Sequence, residues 1–477
     1  MWEKLILFFP ELLLAFSASQ LLLFGVSKKS NRADIVRYIG IAVLLLFAFS
    51  GFLLGRPNGT AFSGALVIDN YSHYIKFIIG LAAAASLIFA KPYLQSEKLD
   101  RHEFTVLLLY AVLGMSIMAS ANNLLSIYIG IEMQALALYI MAAFNRNSLR
   151  STEAGLKYFV LGALSSGLLL YGLSMVYGFS GTLDFDQIAA VVEGGASPGM
   201  IAGMVFMLCG LGFKISAAPF HMWTPDVYEG SPTPVTGFFA AAPKFAAMCL
   251  IARICVGPFG GIEDQWQQVV IVFAVLSMFV GAIGALAQTN IKRLMAYSSI
   301  ANMGYALVPL AAGGEAGLKG MLIFMSIYVI SVVGVFACIL QMRIRNGMVE
   351  QISDLSGLSK SNKGLAVVLS MFMFSVMGIP PLLGFFGKWF AFMPAVEAGL
   401  VWLVVLALVA SVIGAFYYLR IVKSMWFDAP AHEFVEAPAS LRWVTTVSAA
   451  LVMPLLILPF TAIPATSFIS QAAASLF

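Results

Sequence analysis

Charged residues are scarce in this 477-residue chain, at 10% of the sequence, whereas apolar residues make up 61%. A soluble globular domain usually carries about 25% charge. So few charges exclude a water-facing surface for a chain of this size. The long apolar runs, such as 104–120 and 401–410, instead predict helices that span a membrane.

Cysteine is also rare, with four residues in the whole chain, and no two of them form a CxxC pair. Iron–sulfur and zinc sites usually need closely spaced thiols, so we expect no metal site. No glycine-rich phosphate loop follows a strand, which argues against a bound nucleotide. The net charge of +4 does not indicate nucleic acid, because the basic residues flank apolar runs. We therefore expect no cofactor, metal or nucleic acid on this chain.

The apolar runs predict an all-α polytopic membrane protein with about fourteen transmembrane helices. The first run is too long for a signal-peptide core and lacks a small-residue cleavage site, so we expect it to be a retained helix. The predicted spans are 5–26, 35–55, 71–90, 104–120, 123–143, 156–178, 199–222, 235–256, 267–287, 296–312, 318–341, 364–394, 399–420 and 443–464.

The lysines and arginines of the connections predict the orientation, because cytoplasmic loops are enriched in them. With the N-terminus outside, 18 of the 27 lysines and arginines fall on cytoplasmic connections, 4 on outer ones and five within the spans. This asymmetry predicts that both termini face the outer side of the membrane.

The pentapeptide EAGLK occurs twice, at 153–157 and 315–319, and a proline follows each copy at the same distance (219 − 153 = 381 − 315 = 66). The copies open spans 6 and 11, which run in opposite directions because they are an odd number of spans apart. This pattern predicts two inverted five-helix repeats, spans 4–8 and 9–13, as in many secondary transporters. The predicted division is 1–100 for three N-terminal helices, 101–258 and 259–425 for the two halves, and 426–477 for a C-terminal helix and tail.

The two prolines, Pro219 and Pro381, predict broken helices in spans 7 and 12. Proline removes a backbone donor and clashes with the preceding turn. Interrupted helices at matching places in two halves point to a transport site. The repeat gives the buried lysines no common register, and its best alignment places Asn302 opposite Glu132 only weakly.

Four charged residues lie deep in the predicted spans: Glu132, Lys214, Lys244 and Lys388. Each costs about 2.5–3.5 kcal/mol to insert, and such residues usually mark ion paths. A buried lysine whose carboxylate partner moves away releases its proton, so these residues are candidates for a proton path. The structural interpretations that compete with this one are a hydrogen-bonded anchor for Glu132 and static ion pairs for the lysines.

Three further residues are weaker candidates. His221 follows Lys214 by seven residues and either continues the path or is a structural histidine. Lys157 begins span 6 and pairs at i, i+4 with Glu153, which is also typical of an ion pair at a helix end. Lys76 lies near the outer end of span 3, and we expect its side chain to reach the interface.

Three segments resemble a known family: FKISAAPFHMWTPDVYEGSPTPVTGFF at 213–239, TNIKRLMAYSSIANMGY at 289–305 and GIPPLLGFFGKW at 378–389. They are similar to the antiporter-like membrane subunits of proton-pumping NADH:quinone oxidoreductase, respiratory complex I. The resemblance covers nearly the whole chain and is greatest to the N-type subunits of bacteria.

The resemblance implies a translocase subunit with no redox centre of its own, driven by quinone reduction elsewhere in the complex. It implies that Glu132 partners Lys214, and that Lys244 links this half to Lys388 through waters. NADH, FMN, iron–sulfur clusters and quinone are then expected on partner subunits. The M-type antiporter-like subunit and the small K-type subunit are the expected neighbours, together with lipid.

Several different functions remain open on the sequence alone. The nearest is a cation/proton antiporter subunit, or the equivalent subunit of a membrane-bound hydrogenase. The charges deep in the predicted spans are mostly lysines, which favours transport of protons over Na⁺, because lysine cannot coordinate a metal cation as a carboxylate can. The sequence is also compatible with a purely structural membrane subunit, and with a quinone-binding subunit that has Glu132 and His221 at a lipid-open cavity.

Overall fold

A computed structural model describes residues 6–26, 32–345, 347–453 and 464–477 of the chain. Residues 9–256 are mostly helical. Their helices are α1 (Phe9–Val26), α2 (Ala33–Leu53), α3 (Asn70–Ser96), α4 (His102–Ser120), α5 (Leu124–Ala142), α6 (Leu149–Ser180), α7 (Phe185–Glu193), α8 (Pro198–Ile215), α9 (Trp223–Gly230), α10 (Thr233–Ala240) and α11 (Ala242–Val256).

The rest of the chain continues the helical pattern. Its helices are α12 (Glu263–Leu286), α13 (Ile291–Ala311), α14 (Gly314–Ile339), α15 (Leu358–Ser361), α16 (Lys363–Met377), α17 (Leu383–Glu397), α18 (Val401–Phe427), α19 (Ala439–Val452) and α20 (Pro464–Ala474). Two antiparallel hairpins join helices, β1 (Gly59–Ala61) with β2 (Leu66–Ile68) and β3 (Arg343–Ile344) with β4 (Gly347–Met348).

Eleven helices among the described residues are long and apolar enough to cross a membrane. The chain is therefore an all-helical polytopic membrane protein, as predicted. The count of fourteen spans stays a prediction. The start of the first predicted span and the end of the fourteenth lie outside the described residues. Three of the predicted spans correspond to helices that are not among those eleven: α13, the interrupted pair α16–α17, and α19.

Helices end at both predicted breaks. Helix α8 ends before Ser216, which has a left-handed φ of 63°, and α16 ends before Gly378, which has a φ of 94°. The same hydrogen bonds close both ends. The N–H of Ala217 donates to the carbonyl of Gly212, and that of Ile379 to the carbonyl of Phe374; in each case the second residue of the break bonds five residues back. The Ala218–Pro219 and Pro380–Pro381 peptide bonds that follow are both cis.

A third break, which the sequence analysis did not predict, separates α10 from α11 at Ala241. Pro243 occupies the first turn of α11, where the backbone N–H that proline lacks would have no partner within the helix. Lys244 is the next residue. The break therefore places this lysine at a helix start in the middle of the predicted eighth span.

A second pair of matching local structures lies at the starts of α5 and α13. Asn123 caps α5 by accepting from the N–H of Leu125, and Asn290 caps α13 by accepting from that of Lys292. Each asparagine also bridges to a following segment, Asn123 to Asp184 and Asn290 to Gln351. The two sites thus repeat the same cap and the same backbone pairing.

The core runs through α11 and α14. About 94% of the membrane-length window at α10–α11 and 89% of the one at α14 is buried, against 39% for α6. Large apolar side chains such as Leu164 on α6 and Val412 on α18 are exposed, which suits contact with lipid or other membrane subunits. The two most buried membrane-length helices carry Lys244 and Tyr328.

Candidate functional site

Lys244 is fully buried and has neutral partners. Its Nζ donates to the Oγ of Ser299 on α13 at 2.6 Å. The same Oγ lies 2.7 Å from the hydroxyl of Tyr328 on α14. The ring of Tyr228 faces the ammonium from 5.3 Å. Within the described part of the chain, no carboxylate forms an ion pair with this lysine.

Lys388 also has neutral partners. Its Nζ donates to the carbonyl of Met377 at 2.8 Å and to the Oγ of Ser411 at 2.7 Å. Met377 is the last residue of α16, where the break leaves backbone carbonyls without partners inside the helix. The ring of Tyr305 lies 4.7 Å from the ammonium. The interrupted helix thus supplies the site with an acceptor that an unbroken helix would use itself.

A small cavity lies beside Lys388, with about 20 Å³ open to the centre of a water molecule. Its polar lining consists of Asn302, Tyr328, Ser331, Ser375 and Lys388. Tyr328 therefore belongs to both sites: it contacts the serine that binds Lys244, and it lines the cavity of Lys388. The sequence analysis overlooked Ser299 and Tyr328 because a serine or tyrosine in an apolar run is ordinary.

Lys214 lies in the last turn of α8, buried and close to Glu132 without a direct ion pair. The Oγ of Ser166 donates to Glu132 Oε1. The Nζ of Lys214 has no hydrogen-bond partner among the described residues and lies 6.0 Å from the ring centroid of Tyr139. Glu132 is a charged neighbour of Lys214. The structure therefore brings the two residues together across α5 and α8, with a polar partner of Glu132 on α6.

His221 lies in the connection between α8 and α9, partly exposed. In the described residues its Nδ1 has no hydrogen-bond partner, and no bond joins it to Lys214. The structure places it on the segment that follows the break. It does not place it in contact with the other candidates.

Lys157 is a partly exposed residue of α6 that belongs to a cluster of charges. Its Nζ lies 2.8 Å from Glu153 Oε1, the predicted i, i+4 pair, and 2.9 Å from Asp226 Oδ2. Arg293 on α13 contacts Asp226 at 2.6 Å and Glu229 at 3.1 Å. Burial of Asp226 works to raise the pKa of its carboxyl, but Lys157 and Arg293 outweigh it and hold that pKa below its usual value.

Glu350 extends this cluster on the connection before α15. It contacts Lys292 at 2.6 Å and Arg150 at 2.9 Å. Burial works to raise the pKa of its carboxyl, yet Lys292 and Arg150 hold the pKa below its usual value. These residues join the part of the chain around α6 and α9 to the part that begins with α13.

A buried ion pair joins α1 to α3. Lys76 Nζ lies 2.6 Å from Glu11 Oε1, and both side chains are 2% exposed. The Oγ of Ser116 donates to the same oxygen at 2.6 Å. The prediction that Lys76 reaches the interface is therefore wrong, because Glu11 provides a partner inside. The glutamate in the apolar run FFPELLL was the signal that could have indicated this pair.

The described residues contain no group of three or more His, Cys, Asp or Glu side chains placed to hold a metal ion. Of the candidate charges, Lys214, Lys244 and Lys388 lie on three different helices, α8, α11 and α17, and none of them forms an ion pair among the described residues. This arrangement suits the handling of protons more than the coordination of a cation.

Known proteins share this arrangement of helices. The transmembrane family described as NADH:quinone oxidoreductase/Mrp antiporter matches residues 121–414, a range that contains Glu132, Lys214, Lys244 and Lys388. The chain is 54% identical over 447 residues to NADH-quinone oxidoreductase subunit N of Maricaulis maris, covering 94% of this chain and 93% of the relative. It is 53% identical to the protein of the same name from Parvibaculum lavamentivorans, covering 92% and 91%.

Two solved membrane-protein structures have the same fold as this chain. A chain of respiratory complex I from Thermus thermophilus with bound aureothin superposes with a TM-score of 0.81 at 32% identity, covering 96% of this chain and 99% of that one. A chain of the Mrp complex from Dietzia sp. superposes with a TM-score of 0.87 at 20% identity, covering 100% and 98%, which shows a shared fold.

Proposed function

This chain belongs to the family of NADH-quinone oxidoreductase N subunits, and we propose that it carries protons across the bacterial inner membrane through Glu132, Lys214, Lys244 and Lys388. In this proposal the free energy comes from quinone reduction elsewhere in the complex. His221 and Lys157 are secondary members of the path.

The observation that carries the proposal is the set of neutral partners around Lys244 and Lys388. A hydroxyl or carbonyl accepts a hydrogen bond from an ammonium but does not neutralise its charge. A buried charge without a counter-ion is costly, and releasing the proton removes that cost. Both lysines are therefore able to bind and release a proton without breaking an ion pair.

Glu132 and Lys214 complete the path on the first half. They are neighbours without a direct hydrogen bond or ion pair, so a movement of either side chain changes the distance between the two charges. A lysine near a carboxylate holds its proton, and one from which the carboxylate is drawn away releases it. In this proposal that movement couples Lys214 to events outside the chain.

The proposal includes two inverted repeats, spans 4–8 and 9–13, in a chain of fourteen spans. The matched helix ends at Ser216 and Gly378 support it, as do the matched caps at Asn123 and Asn290. The caps also give a register for α5 and α13 (132 − 123 = 299 − 290 = 9), which puts Ser299 opposite Glu132 in place of Asn302. We assign 1–100 and 426–477 to the flanking helices and 101–258 and 259–425 to the halves.

The chain is proposed to work as a subunit of an H⁺-translocating NADH:quinone reductase without a redox centre of its own. NADH, FMN, iron–sulfur clusters and quinone belong to partner subunits. The M-type antiporter-like and small K-type subunits are the proposed neighbours, with lipid around them. Both termini are proposed to face the periplasm.

The test uses the assembled complex in inside-out membrane vesicles. Lys244→Ala and Lys388→Ala are expected to lower NADH-driven proton uptake and coupled NADH oxidation several-fold, because each removes a proton-binding group from the path. Lys360→Ala, the same change at an exposed lysine, serves as the control. Subunit content on a native gel shows that each complex assembles.

Normal proton uptake by both buried-lysine variants would overturn the proposal. A cation/proton antiporter predicts a different result. Reconstituted protein would then exchange Na⁺ for protons without NADH, and the same two substitutions would abolish that exchange.

A further inference from the structure

Three buried side chains form a continuous hydrogen-bonded series from α11 through α13 to α14. Lys244 Nζ donates to Ser299 Oγ at 2.6 Å, and Ser299 Oγ lies 2.7 Å from the Tyr328 hydroxyl. All three residues are less than 5% exposed. Because Lys244 and Ser299 are each only 1% exposed, a proton leaving Lys244 along this side has Ser299 as its first acceptor.

The series ends at the cavity beside Lys388. Tyr328 lines that cavity together with Lys388, and Asn302, Ser331 and Ser375 add polar groups to its wall. The space open to the centre of a water molecule is about 20 Å³, and about 10–15 Å³ is enough to hold one. The cavity therefore has room for about one water molecule beside Tyr328 and Lys388.

We propose that Ser299 and Tyr328 form a hydroxyl relay that passes protons between Lys244 and Lys388. This inference rests on the proposed function. It adds two residues that carry no charge, and it assigns the passage between the two halves of the chain to particular oxygen atoms rather than to water alone.

The transfer balances at every atom. An N–H bond of the Lys244 ammonium breaks as an O–H bond forms on Ser299. The original O–H bond of Ser299 breaks as one forms on Tyr328. The original phenolic proton passes through cavity water to the neutral amine of Lys388. Each hydroxyl ends with one proton, and the net change is one proton moved from Lys244 to Lys388. Each new O–H bond then rotates back before the next transfer.

A purely static role for both residues would compete with the relay. Ser299 would then only accept a hydrogen bond from the ammonium of Lys244, and the side chain of Tyr328 would only pack against the neighbouring helices. The two roles differ in what removal of the tyrosine hydroxyl does: Tyr328→Phe keeps the ring and the hydrogen bond from Lys244 to Ser299, yet it removes the oxygen that the relay needs.

The experiment compares Tyr328→Phe, Ser299→Ala and Ser299→Thr in the assembled complex. We expect the first two to lower NADH-driven proton uptake at least about tenfold, since proton-transfer groups contribute about 10²–10⁴-fold. Ser299→Thr keeps the hydroxyl, and we expect it to retain most of the rate. The residual rate of Tyr328→Phe should show a larger solvent deuterium isotope effect than the unaltered complex.

The control is Tyr74→Phe. Tyr74 and Ser326 form the same kind of buried hydroxyl pair, at 2.6 Å, and Ser326 is two residues from Tyr328 on α14. No lysine among the described residues is bonded to this pair. This variant should pump at the unaltered rate. If Tyr328→Phe had the same pumping rate and the same isotope effect as Tyr74→Phe, the relay would be wrong. Equal loss in Ser299→Thr and Ser299→Ala would also overturn it, since only the packing role predicts that result.

The lysine variants separate the two proposals. If Lys244→Ala and Lys388→Ala lower proton uptake while Tyr328→Phe does not, the proton path stands and the relay is wrong. If the lysine variants pump normally, the proposed function itself is wrong.

Discussion

At the scale of single residues, the partner of each buried lysine decides what that lysine can do. Lys76 has a carboxylate at 2.6 Å, Glu11, so its ammonium has a counter-ion inside the protein. Lys244 and Lys388 have hydroxyls and a carbonyl instead. We infer that the first lysine holds helices together, whereas the other two exchange protons.

The Glu11–Lys76 pair gives a prediction about stability. Glu11→Ala leaves the Lys76 ammonium buried without a counter-ion, which costs about 3–5 kcal/mol when one partner of a buried pair is removed. We expect a lower thermal-unfolding midpoint and less assembled complex. The double change Glu11→Leu with Lys76→Met should recover most of the loss, because it removes both charges.

The matched control is Glu436→Ala, which breaks the exposed Glu436–Arg442 pair of 2.8 Å. An exposed pair contributes about 0–1 kcal/mol, so the midpoint should hardly change. A midpoint for Glu11→Ala as high as that of this control would show that the buried pair does not stabilise the protein.

At the scale of helices, the breaks bring polar atoms to places where an unbroken helix has none to offer. The end of α16 exposes the Met377 carbonyl to Lys388, and the start of α11 after Ala241 positions Lys244 opposite Ser299. Helix ends leave backbone groups free, and in a membrane such groups need partners within the protein. Lys388 meets this need at the end of α16 by donating to the Met377 carbonyl.

Gly378 provides the prediction at this scale. Its left-handed φ costs a residue with a side chain about 1–2 kcal/mol, and an added Cβ would lie 3.0 Å from Lys388 Cδ. We expect Gly378→Ala to displace the lysine and lower NADH-driven proton uptake in vesicles. Ser216→Gly, at the equivalent end of α8, relieves the same backbone conformation and should change the free energy of unfolding by less than about 1 kcal/mol.

The two variants should also differ in function. Ser216→Gly is expected to pump at the unaltered rate. Equal pumping by both variants, at equal amounts of assembled complex, would contradict the role of this helix end in positioning Lys388.

At the scale of the whole molecule, charge pairs join the two proposed halves at one end of the bundle. Arg293 on α13 binds Asp226 on α9, and Glu350 binds Arg150 on α6. The predicted topology puts this end on the cytoplasmic side, where lysine and arginine are most frequent. The hydroxyl relay joins the same halves deeper in the bundle.

Cysteine labelling tests that topology. Asn147 and Asp186 are exposed residues on successive connections, on opposite sides of the membrane in the predicted orientation. A membrane-impermeant maleimide should label Asp186→Cys in right-side-out vesicles and Asn147→Cys only in inside-out ones. The unaltered chain gives the background from its own cysteines, and the reverse labelling pattern would show that the termini face the cytoplasm.

The sequence by itself determined the class of the molecule, the helix-breaking prolines and the four charges deep in the predicted spans, because apolar length, proline and intramembrane charge act locally and can be identified in a linear string. It also indicated the family, since three long segments were distinctive. The tertiary structure decided the partners. Glu11 with Lys76, Ser299 with Lys244 and Tyr328 beside the cavity of Lys388 come from helices far apart in the chain, and only packing decides which polar atoms meet.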